Sequence, residues 1–308
     1  MINSLQMHWL KLRLIMRNAF IDELLVQAEI NNKIALVVGD LGYSVVESFA
    51  ERFPERFINA GVAEQNMMGL AAGMASEGYH VFVYSIANFP TFRCAEQIRN
   101  DVAYHKLPVT VVAVGGGLGY GNLGYSHHAI QDYALIRAMP NMLIAAPGDP
   151  MEVRSCLRYL IKNPGPSYLR LGKSGEVSYH IAPPIINPGG WVQLRSGSSN
   201  CALLSTGTAL QISMEWAGSH RYKNHSIYSM PLWSMFDKPA QYDLLIKHKE
   251  VITIEDHLID GGFGSWFLEA SALNQKLAGI VRPVALSHKI CGRVGSQLTL
   301  HRFGGLCL

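Results

Sequence analysis

Short apolar runs alternate with segments of helical periodicity along nearly the whole chain, and this alternation is the strongest constraint on its fold. The first helical segment spaces Phe20, Leu24, Leu25 and Ala28 along one face. The first apolar run ends in Gly-Asp, which is typical of a buried parallel strand. The pattern therefore predicts an α/β fold. In the first half of the chain the apolar runs lie at 34–40, 80–85, 109–114, 141–147 and 166–172.

A stretch rich in proline and glycine, IAPPIINPGG at 181–190, indicates a linker. Beyond it a second alternation of strand-like and helical segments begins. The length of 308 residues also favours two domains, because single hydrophobic cores stop growing at about 250–300 residues. We predict two domains, at 17–180 and 191–308, each a mainly parallel sheet flanked by helices. Residues 1–16 are interpreted as an N-terminal extension.

Composition argues against several classes of protein. A formal net charge of +3 without a Lys/Arg-rich run does not favour nucleic-acid binding. No apolar run reaches the roughly 18–20 residues of a membrane helix. The five cysteines are odd in number and form no CxxC pair. They favour reduced thiols in a soluble, cytoplasmic protein with neither a disulfide framework nor a zinc site, and no metal ligand is assigned to the chain.

Glu64 stands at the head of a run of mostly small and apolar residues that is long enough for four helical turns, within NAGVAEQNMMGLAAGMA at 59–75. A carboxylate at a helix N-terminus is stabilised by the free N–H groups there. A carboxyl group is also held away from water where its proton takes part in chemistry. The residues alone leave both interpretations of Glu64 open.

Six glycines lie within GGGLGYGNLG at 115–124, directly after a strand-like run. Gly119, Gly121 and Gly124 match the dinucleotide-binding pattern G-x-G-x-x-G. However, the loop continues through YSHH before a helix can begin, and no acidic residue ends a second strand at the expected spacing of about 20 residues. Glycines this dense favour the close approach of backbone to a ligand or a second chain.

Histidine and phenylalanine pairs supply further candidate side chains. His127 and His128 end the glycine loop, where they either cap the next helix or act as a hydrogen-bond donor or proton shuttle. Adjacent histidines do not easily share one metal ion. Phe89 and Phe92 flank Pro90, and this rigid corner favours at least one ring projecting into a site.

Taken together and in order, these motifs resemble those of transketolases. The resemblance covers nearly everything from residue 17 onward and corresponds to the C-terminal half of a transketolase, its pyrimidine-binding domain and C-terminal domain. Transketolases bind the diphosphate of thiamine diphosphate and its Mg²⁺ through an N-terminal domain with a Gly-Asp-Gly motif, which this sequence lacks. The chain therefore resembles one subunit of a split transketolase. The motifs are GDLGYS (39–44), NAGVAEQNMMGLAAG (59–73), FPTF followed by EQIRNDVAYHKLPV (89–109), the glycine loop ending in SHH, NMLIAAPGD (141–149) and VITIEDHLIDGGFGS (251–265).

The resemblance implies four contacts with the cofactor thiamine diphosphate. Glu64 corresponds to the catalytic carboxyl group that hydrogen-bonds the aminopyrimidine ring. Phe89 and Phe92 match the F-x-x-F whose side chains pack on that ring, although the third aromatic of the series is Ala95 here. Asp40 matches an acidic residue near the thiazolium. Mg²⁺ is expected to be bound mainly by the partner chain.

The resemblance also implies contacts with a sugar substrate. His127 matches a histidine that contacts the first hydroxyls of the sugar, and it is the second residue expected to be catalytic. Arg17, Ser44 and Lys173 match positions that bind the sugar phosphate, with Lys173 in place of an arginine.

Two positions depart from the family's pattern. Leu123 replaces an aspartate that recognises a sugar hydroxyl, and Gly115 replaces a phosphate-binding histidine. These departures favour a substrate other than the ordinary xylulose and ribose phosphates, because a leucine makes a hydroxyl costly to desolvate there.

The function implied is transfer of a two-carbon ketol unit from a ketose donor to an aldose acceptor. It would require an N-terminal subunit that carries Gly-Asp-Gly, with two copies of each chain in the complex. Alternatives are a half-enzyme of another thiamine-dependent type (a 2-oxoacid dehydrogenase β subunit or a deoxyxylulose-phosphate synthase-like protein) and a non-catalytic regulatory subunit of the same fold. A nicotinamide-binding protein based on 119–124 is a further alternative.

Overall fold

The computed structural model of the chain describes residues 15–307. The N-terminal extension predicted at 1–16 therefore lies almost entirely outside the described residues. Within this part of the chain, no helix is both long and apolar enough to cross a membrane. The strands are β1 Ile34–Val38, β2 Phe57–Asn59, β3 His80–Ile86, β4 Val109–Val114, β5 Leu143–Ala145, β6 Ser167–Leu171, β7 Val192–Arg195, β8 Cys201–Ser205, β9 Ser226–Ser229, β10 Leu232–Trp233, β11 Glu250–Leu258 and β12 Val281–Leu286.

Helices connect most of these strands, as the alternating pattern predicts. Residues 91–105, where the sequence pattern predicts one helix between two strands, do not form a single continuous helix. The backbone of Cys94 (φ −108°, ψ 14°) interrupts it, and a π-helical turn at Ile98–Ala103 follows. The α-helices are α1 Met16–Ile30, α2 Glu47–Arg52, α3 Glu64–Ser76, α4 Asn88–Phe92, α5 Ala95–Gln97, α6 Asp132–Arg137, α7 Pro150–Lys162, α8 Ala209–Ala217, α9 Tyr242–Leu245, α10 Phe263–Ala272 and α11 Gln297–Gly304.

The first sheet has seven strands in the order β10-β5-β6-β4-β3-β1-β2. All neighbours are parallel except β10 and β5. Its central strands are buried on both faces, which explains why they are continuous apolar runs rather than alternating ones. One face packs against α1 and α7, and the other packs against α3.

The second sheet has five strands in the order β12-β11-β8-β9-β7. Its pairs are parallel except for β7 and β9. Helices α8 and α11 pack with apolar residues of this sheet in a further core cluster. Both sheets are thus mainly parallel and flanked by helices, and the predicted fold class is confirmed.

Two features join the two sheets: the pairing of β10 with the first sheet, and the packing of aromatic side chains around Trp233. β10 comes from the C-terminal part of the chain but pairs with β5 of the first sheet. On β10, Trp233 is fully buried, and its ring lies 5.3 Å from Tyr133 and 5.7 Å from Trp266, measured between centroids. Because aromatic side chains bury large apolar areas, this contact fixes the second sheet against the first.

Candidate functional site at the carboxyl edge of the first sheet

The predicted site residues follow the carboxyl ends of neighbouring strands. The order β6-β4-β3-β1-β2 places these strand ends side by side along one edge of the sheet. Ligands of parallel α/β sheets bind outside this edge. Arg17 instead lies in the first turn of α1. The others are Lys173 after β6, His127 after β4, Phe89 and Phe92 after β3, Asp40 and Ser44 after β1, and Glu64 after β2.

Glu64 is the first residue of α3 and is buried, with 7% of its surface exposed. Its Oε1 accepts a hydrogen bond from Arg93 Nη1 at 2.7 Å. The Arg93 side chain is half exposed, so this ion pair contributes about 1 kcal/mol or less. Arg93 was not predicted, because its only signal in the sequence is a positive charge directly after the aromatic pair. The site therefore presents a nearly dry carboxylate with a weakly held cationic partner.

Arg93 also connects Glu64 to the aromatic part of the site. Its guanidinium carbon lies 4.2 Å from the centre of the Phe89 ring, which is a cation–π contact. Phe89 in turn packs edge-on against His127, with ring centroids 5.2 Å apart. Burial lowers the pKa of His127, and the electrostatic effects of the adjacent His128 and of the Arg93 guanidinium lower it further. The imidazole is therefore neutral at pH 7 and can donate a hydrogen bond to a hydroxyl.

Tyr120, which was also not predicted, connects His127 to Lys173. The rings of Tyr120 and His127 lie 6.2 Å apart, and Lys173 Nζ lies 4.7 Å from the centre of the Tyr120 ring. The same ring occupies the space beside Gly115, where a Cβ would lie 2.1 Å from it. Tyr120 therefore fills the place that a side chain at position 115 would take.

Three predicted residues lie beside this series of contacts without joining it in the described part of the chain. Asp40 and Asn59 exchange two hydrogen bonds of 3.1 and 2.9 Å. The N–H of Ser44 donates to Glu47 Oε1 at 2.7 Å. Phe92 is 43% exposed. Asp40 and Ser44 both have positive φ (54° and 63°), a strained conformation that occurs preferentially at functional sites.

Buried polar atoms without partners lie at the same edge. The hydroxyl of Ser85 and the amide oxygen of Asn88 have no hydrogen-bond partner among residues 15–307. Buried polar groups normally have one. Asn88 lines the same cavity as Phe89 and Phe92, and an amide oxygen that is free to accept a hydrogen bond beside two aromatic rings fits a flat, polar heterocycle such as an aminopyrimidine.

The glycine loop at 115–128 packs against the C-terminal part of the same chain. A Cβ at Gly117 would lie 2.0 Å from the Asp256 carboxylate, and the N–H of Leu118 donates to Asp256 Oδ2 at 3.1 Å. These glycines were expected to lie close to a ligand or a second chain. For Gly117 the structure shows a different close neighbour, which is β11 of the same chain. Two short 3₁₀ turns follow the glycines, which is not the strand–turn–helix geometry of a dinucleotide site.

Comparison with known proteins identifies the family. Residues 13–175 match the transketolase pyrimidine-binding domain, and residues 189–305 match the transketolase C-terminal domain. The chain belongs to the transketolase family. The predicted resemblance is thereby confirmed, and transketolases and deoxyxylulose-phosphate synthases use thiamine diphosphate.

Relatives of this transketolase-family chain include a C-terminal section, a subunit and a longer protein. A putative transketolase C-terminal section from Methanocaldococcus jannaschii is 33% identical over 94% of this chain and 92% of its own length. One subunit of an apulose-4-phosphate transketolase from Phocaeicola vulgatus is 31% identical over 84% of each chain. A 1-deoxy-D-xylulose-5-phosphate synthase from Pelotomaculum thermopropionicum is 31% identical over 77% of this chain but only 37% of that protein.

A solved structure is similar over nearly the whole fold. It is described as a split-gene transketolase in an inactive β4 tetramer, and it superposes with a TM-score of 0.81 at 30% identity. The match covers 96% of this chain and 94% of that one. The chain is therefore a split transketolase-like subunit by family and by fold.

Proposed function

We propose that this chain is the pyrimidine-binding subunit of a thiamine diphosphate-dependent split transketolase. The complex would transfer a two-carbon ketol unit from a ketose donor to an aldose acceptor. The observation that supports this most is the continuous series of contacts from Glu64 through Arg93 and Phe89 to His127. It places a carboxylate, an aromatic face and a neutral imidazole together at the edge of the sheet where ligands bind.

Each residue has a distinct role in this proposal. Glu64 holds a proton at a ring nitrogen of the aminopyrimidine, while Phe89 and Phe92 pack against that ring. Asp40 lies near the thiazolium, and His127 donates to the first hydroxyls of the sugar. When bound, the cofactor supplies the electron sink for breaking and forming the carbon–carbon bond. Arg17, Ser44 and Lys173 bind the sugar phosphate.

A second chain is required because this sequence contains no Gly-Asp-Gly motif for the diphosphate and its Mg²⁺. The exposed face of α3 supports such a contact. A Cβ at Gly69 or Gly73 would meet nothing within 4 Å, and the neighbouring Leu70 and Val62 are 37% and 71% exposed. Small residues permit close approach of another helix. Since Glu64 opens α3, a chain packed on this face would also enclose the carboxylate.

The oligomeric state follows from the same requirement. One related structure is a tetramer of β chains that is described as inactive. We infer that this chain alone also self-associates without activity, and that the active complex contains two copies of each subunit. Light scattering on the chain alone and on the co-expressed pair tests this. A fully active particle with one copy of each chain would contradict it.

The decisive experiment combines reconstitution with a matched pair of substitutions. The chain is co-expressed with a partner that carries Gly-Asp-Gly, and product formation is followed with sugar donors, pyruvate and branched 2-oxoacids. Glu64→Gln should retain the fold but lower kcat by about 10²–10⁴-fold, since an amide cannot share the proton. Glu77→Gln changes an exposed residue at the other end of the same helix and should leave kcat unchanged.

Three outcomes would overturn the proposal. Normal turnover of Glu64→Gln with cofactor bound would remove the role of Glu64. Turnover only with 2-oxoacid donors would identify another thiamine-dependent half-enzyme. A complex that binds cofactor and turns over no donor would identify a regulatory subunit.

The substrate is proposed to be an unusual sugar. Leu123 is 54% exposed on the loop that carries His127, so an apolar surface replaces a hydroxyl-recognising carboxylate. The related protein from Phocaeicola vulgatus is named for apulose 4-phosphate rather than for a common pentose phosphate. A panel of donors and acceptors with the reconstituted pair tests this. Rates on xylulose 5-phosphate and ribose 5-phosphate equal to those of a housekeeping transketolase would contradict it.

A further inference from the structure

Three side chains at the amino edge of the second sheet form a group with the chemistry of a transition-metal site. Cys201, His225 and Glu250 each offer one ligand atom, and these atoms all lie within 4.8 Å of one another. Thiolate sulfur, imidazole nitrogen and carboxylate oxygen are the ligands that Zn²⁺ takes in proteins. We propose that this group binds one divalent metal ion of the Zn²⁺ class.

The register of the sheet brings the three residues together. Glu250 at the start of β11 is the partner of Cys201 at the start of β8. Ala202 of β8 is the partner of Ser226 of β9, so His225 lies opposite Cys201 in the same register. Because paired residues of neighbouring strands point to the same face, the three side chains project together from three adjacent strands. A shift of one residue in either register would separate them.

The distances suit a metal after a small contraction. With metal–ligand bonds of about 2.0–2.3 Å, the ligand atoms of a tetrahedral site lie about 3.5 Å apart. The present separations reach up to 4.8 Å, so side-chain movement of about 1 Å would bring the ligand atoms to this spacing. Cys201 is a free thiol, and the Nδ1 of His225 is buried without a hydrogen-bond partner among the described residues. Three protein ligands leave the fourth position for water.

The surroundings hold the group in place. Arg195 Nη2 donates to the His225 carbonyl oxygen at 3.1 Å, and the ring of Tyr222 lies edge-on to the imidazole at 5.2 Å. Arg282 Nε donates to Glu250 Oε1 at 2.8 Å, so the metal would be bound by the second carboxylate oxygen. Such orienting partners are typical around metal ligands. One thiolate and one carboxylate supply two negative charges for a divalent ion, and Arg282 shares the carboxylate.

The site is separate from the proposed catalytic edge, because it lies at the amino ends of strands in the other sheet. Its expected effect is to join β9, β8 and β11, which stabilises the C-terminal domain. The inference therefore does not depend on the proposed activity, and it can be tested without cofactor, substrate or partner.

The experiment uses the purified full-length chain after removal of metals with a chelator. Titration with Zn²⁺ should show one equivalent bound and a higher unfolding temperature. Co²⁺ should give an absorption band from thiolate-to-metal charge transfer. Cys201→Ser should abolish that band, whereas Cys291→Ser, which changes an exposed cysteine outside the group, should retain it. His225→Asn and Glu250→Gln should each weaken Zn²⁺ binding by at least about tenfold.

A measurement on the unsubstituted chain tests the proposal even if the variants fail to fold. Zn²⁺ should slow alkylation of Cys201, read by mass spectrometry, and should leave alkylation of Cys291 unchanged. The proposal is overturned if the Co²⁺ band survives in Cys201→Ser or disappears in Cys291→Ser. It is equally overturned if Zn²⁺ protects both cysteines alike or does not bind.

Discussion

Arg170→Met should lower the free energy of unfolding by about 3–5 kcal/mol, the usual cost of removing one partner from a buried ion pair. The side chains of Arg170 and Asp132 are 3% and 0% exposed. Arg170 Nε donates to Asp132 Oδ2 at 2.7 Å, and Nη2 donates to Oδ1 at 3.3 Å. Methionine keeps much of the apolar volume but leaves the Asp132 carboxylate without a cation, with the Tyr168 hydroxyl at 2.6 Å as its remaining hydrogen-bond donor. His257 lies 3.8 Å away, but burial lowers its pKa to about 4, so it is neutral there.

The same guanidinium joins the glycine loop to the second sheet. Arg170 Nη2 donates to the carbonyl oxygen of Ala129 at 2.7 Å and to that of Asp256 at 3.0 Å. Hydrogen bonds from charged donors contribute roughly 1.5–3 kcal/mol each. Such terms do not add fully within one network, so the upper part of the 3–5 kcal/mol range is expected.

Urea and thermal unfolding of the purified chain measure this effect. A midpoint about 5–8 °C lower is expected, because an unfolding entropy of about 2.1 cal/mol/K per residue gives about 1.5 °C per kcal/mol for 308 residues. Arg52→Met is the control, because its ion pair with Glu29 is exposed and should change stability by less than about 1 kcal/mol. Adding Asp132→Asn to Arg170→Met should recover about 1–2 kcal/mol, since the amide carries no buried charge. A loss below about 1 kcal/mol for Arg170→Met, or no recovery in the double variant, would refute the reasoning.

Three further results are expected. Arg93→Gln should tighten thiamine diphosphate binding to the reconstituted complex by up to about fivefold, because it frees Glu64 from an ion pair of about 1 kcal/mol or less. Calorimetry measures this affinity, and weaker binding would mean that Arg93 contacts the cofactor instead. The Asp256 carboxylate raises the pKa of His301 against the opposing effect of burial, so the stability from this pair is complete below about pH 6.5 and declines as the pH rises through the raised pKa. Urea unfolding should show this decline, and His301→Asn should remove it. Leu123→Asp should raise kcat/KM for xylulose 5-phosphate in the reconstituted pair, and an unchanged or lower value would show that position 123 does not select the sugar.

Strands and helices were predictable where the local pattern decides them. β4 occupies Val109–Val114, the predicted range. α7 occupies Pro150–Lys162, and its start has two signals that are visible in the sequence, a proline in the first turn and an Asp149 cap that accepts from the Glu152 N–H at 2.8 Å. β10 was not predicted, because two residues cannot display a period.

The candidate site was predictable only in part. A resemblance named residues at the strand ends, but Arg93 and Tyr120 link those residues only after the chain has folded. The proposed metal group is hidden for the same reason, since Cys201, His225 and Glu250 lie on or beside three different strands. Spacing along the sequence detects ligands that share one turn or helix, whereas the register between strands depends on the complete sheet.

The position of His127 shows what the second domain contributes to the proposed site. All predicted site residues belong to the first part of the chain, yet residues of the second part contact the loop that carries His127. The N–H of Leu118 donates to the Asp256 carboxylate, and Arg170 donates to the Asp256 carbonyl oxygen. His301 of α11 lies 3.1 Å from the same carboxylate. The orientation of His127 toward Phe89 therefore depends on β11 and α11, and a fragment that lacks the second sheet loses the contacts that place this imidazole.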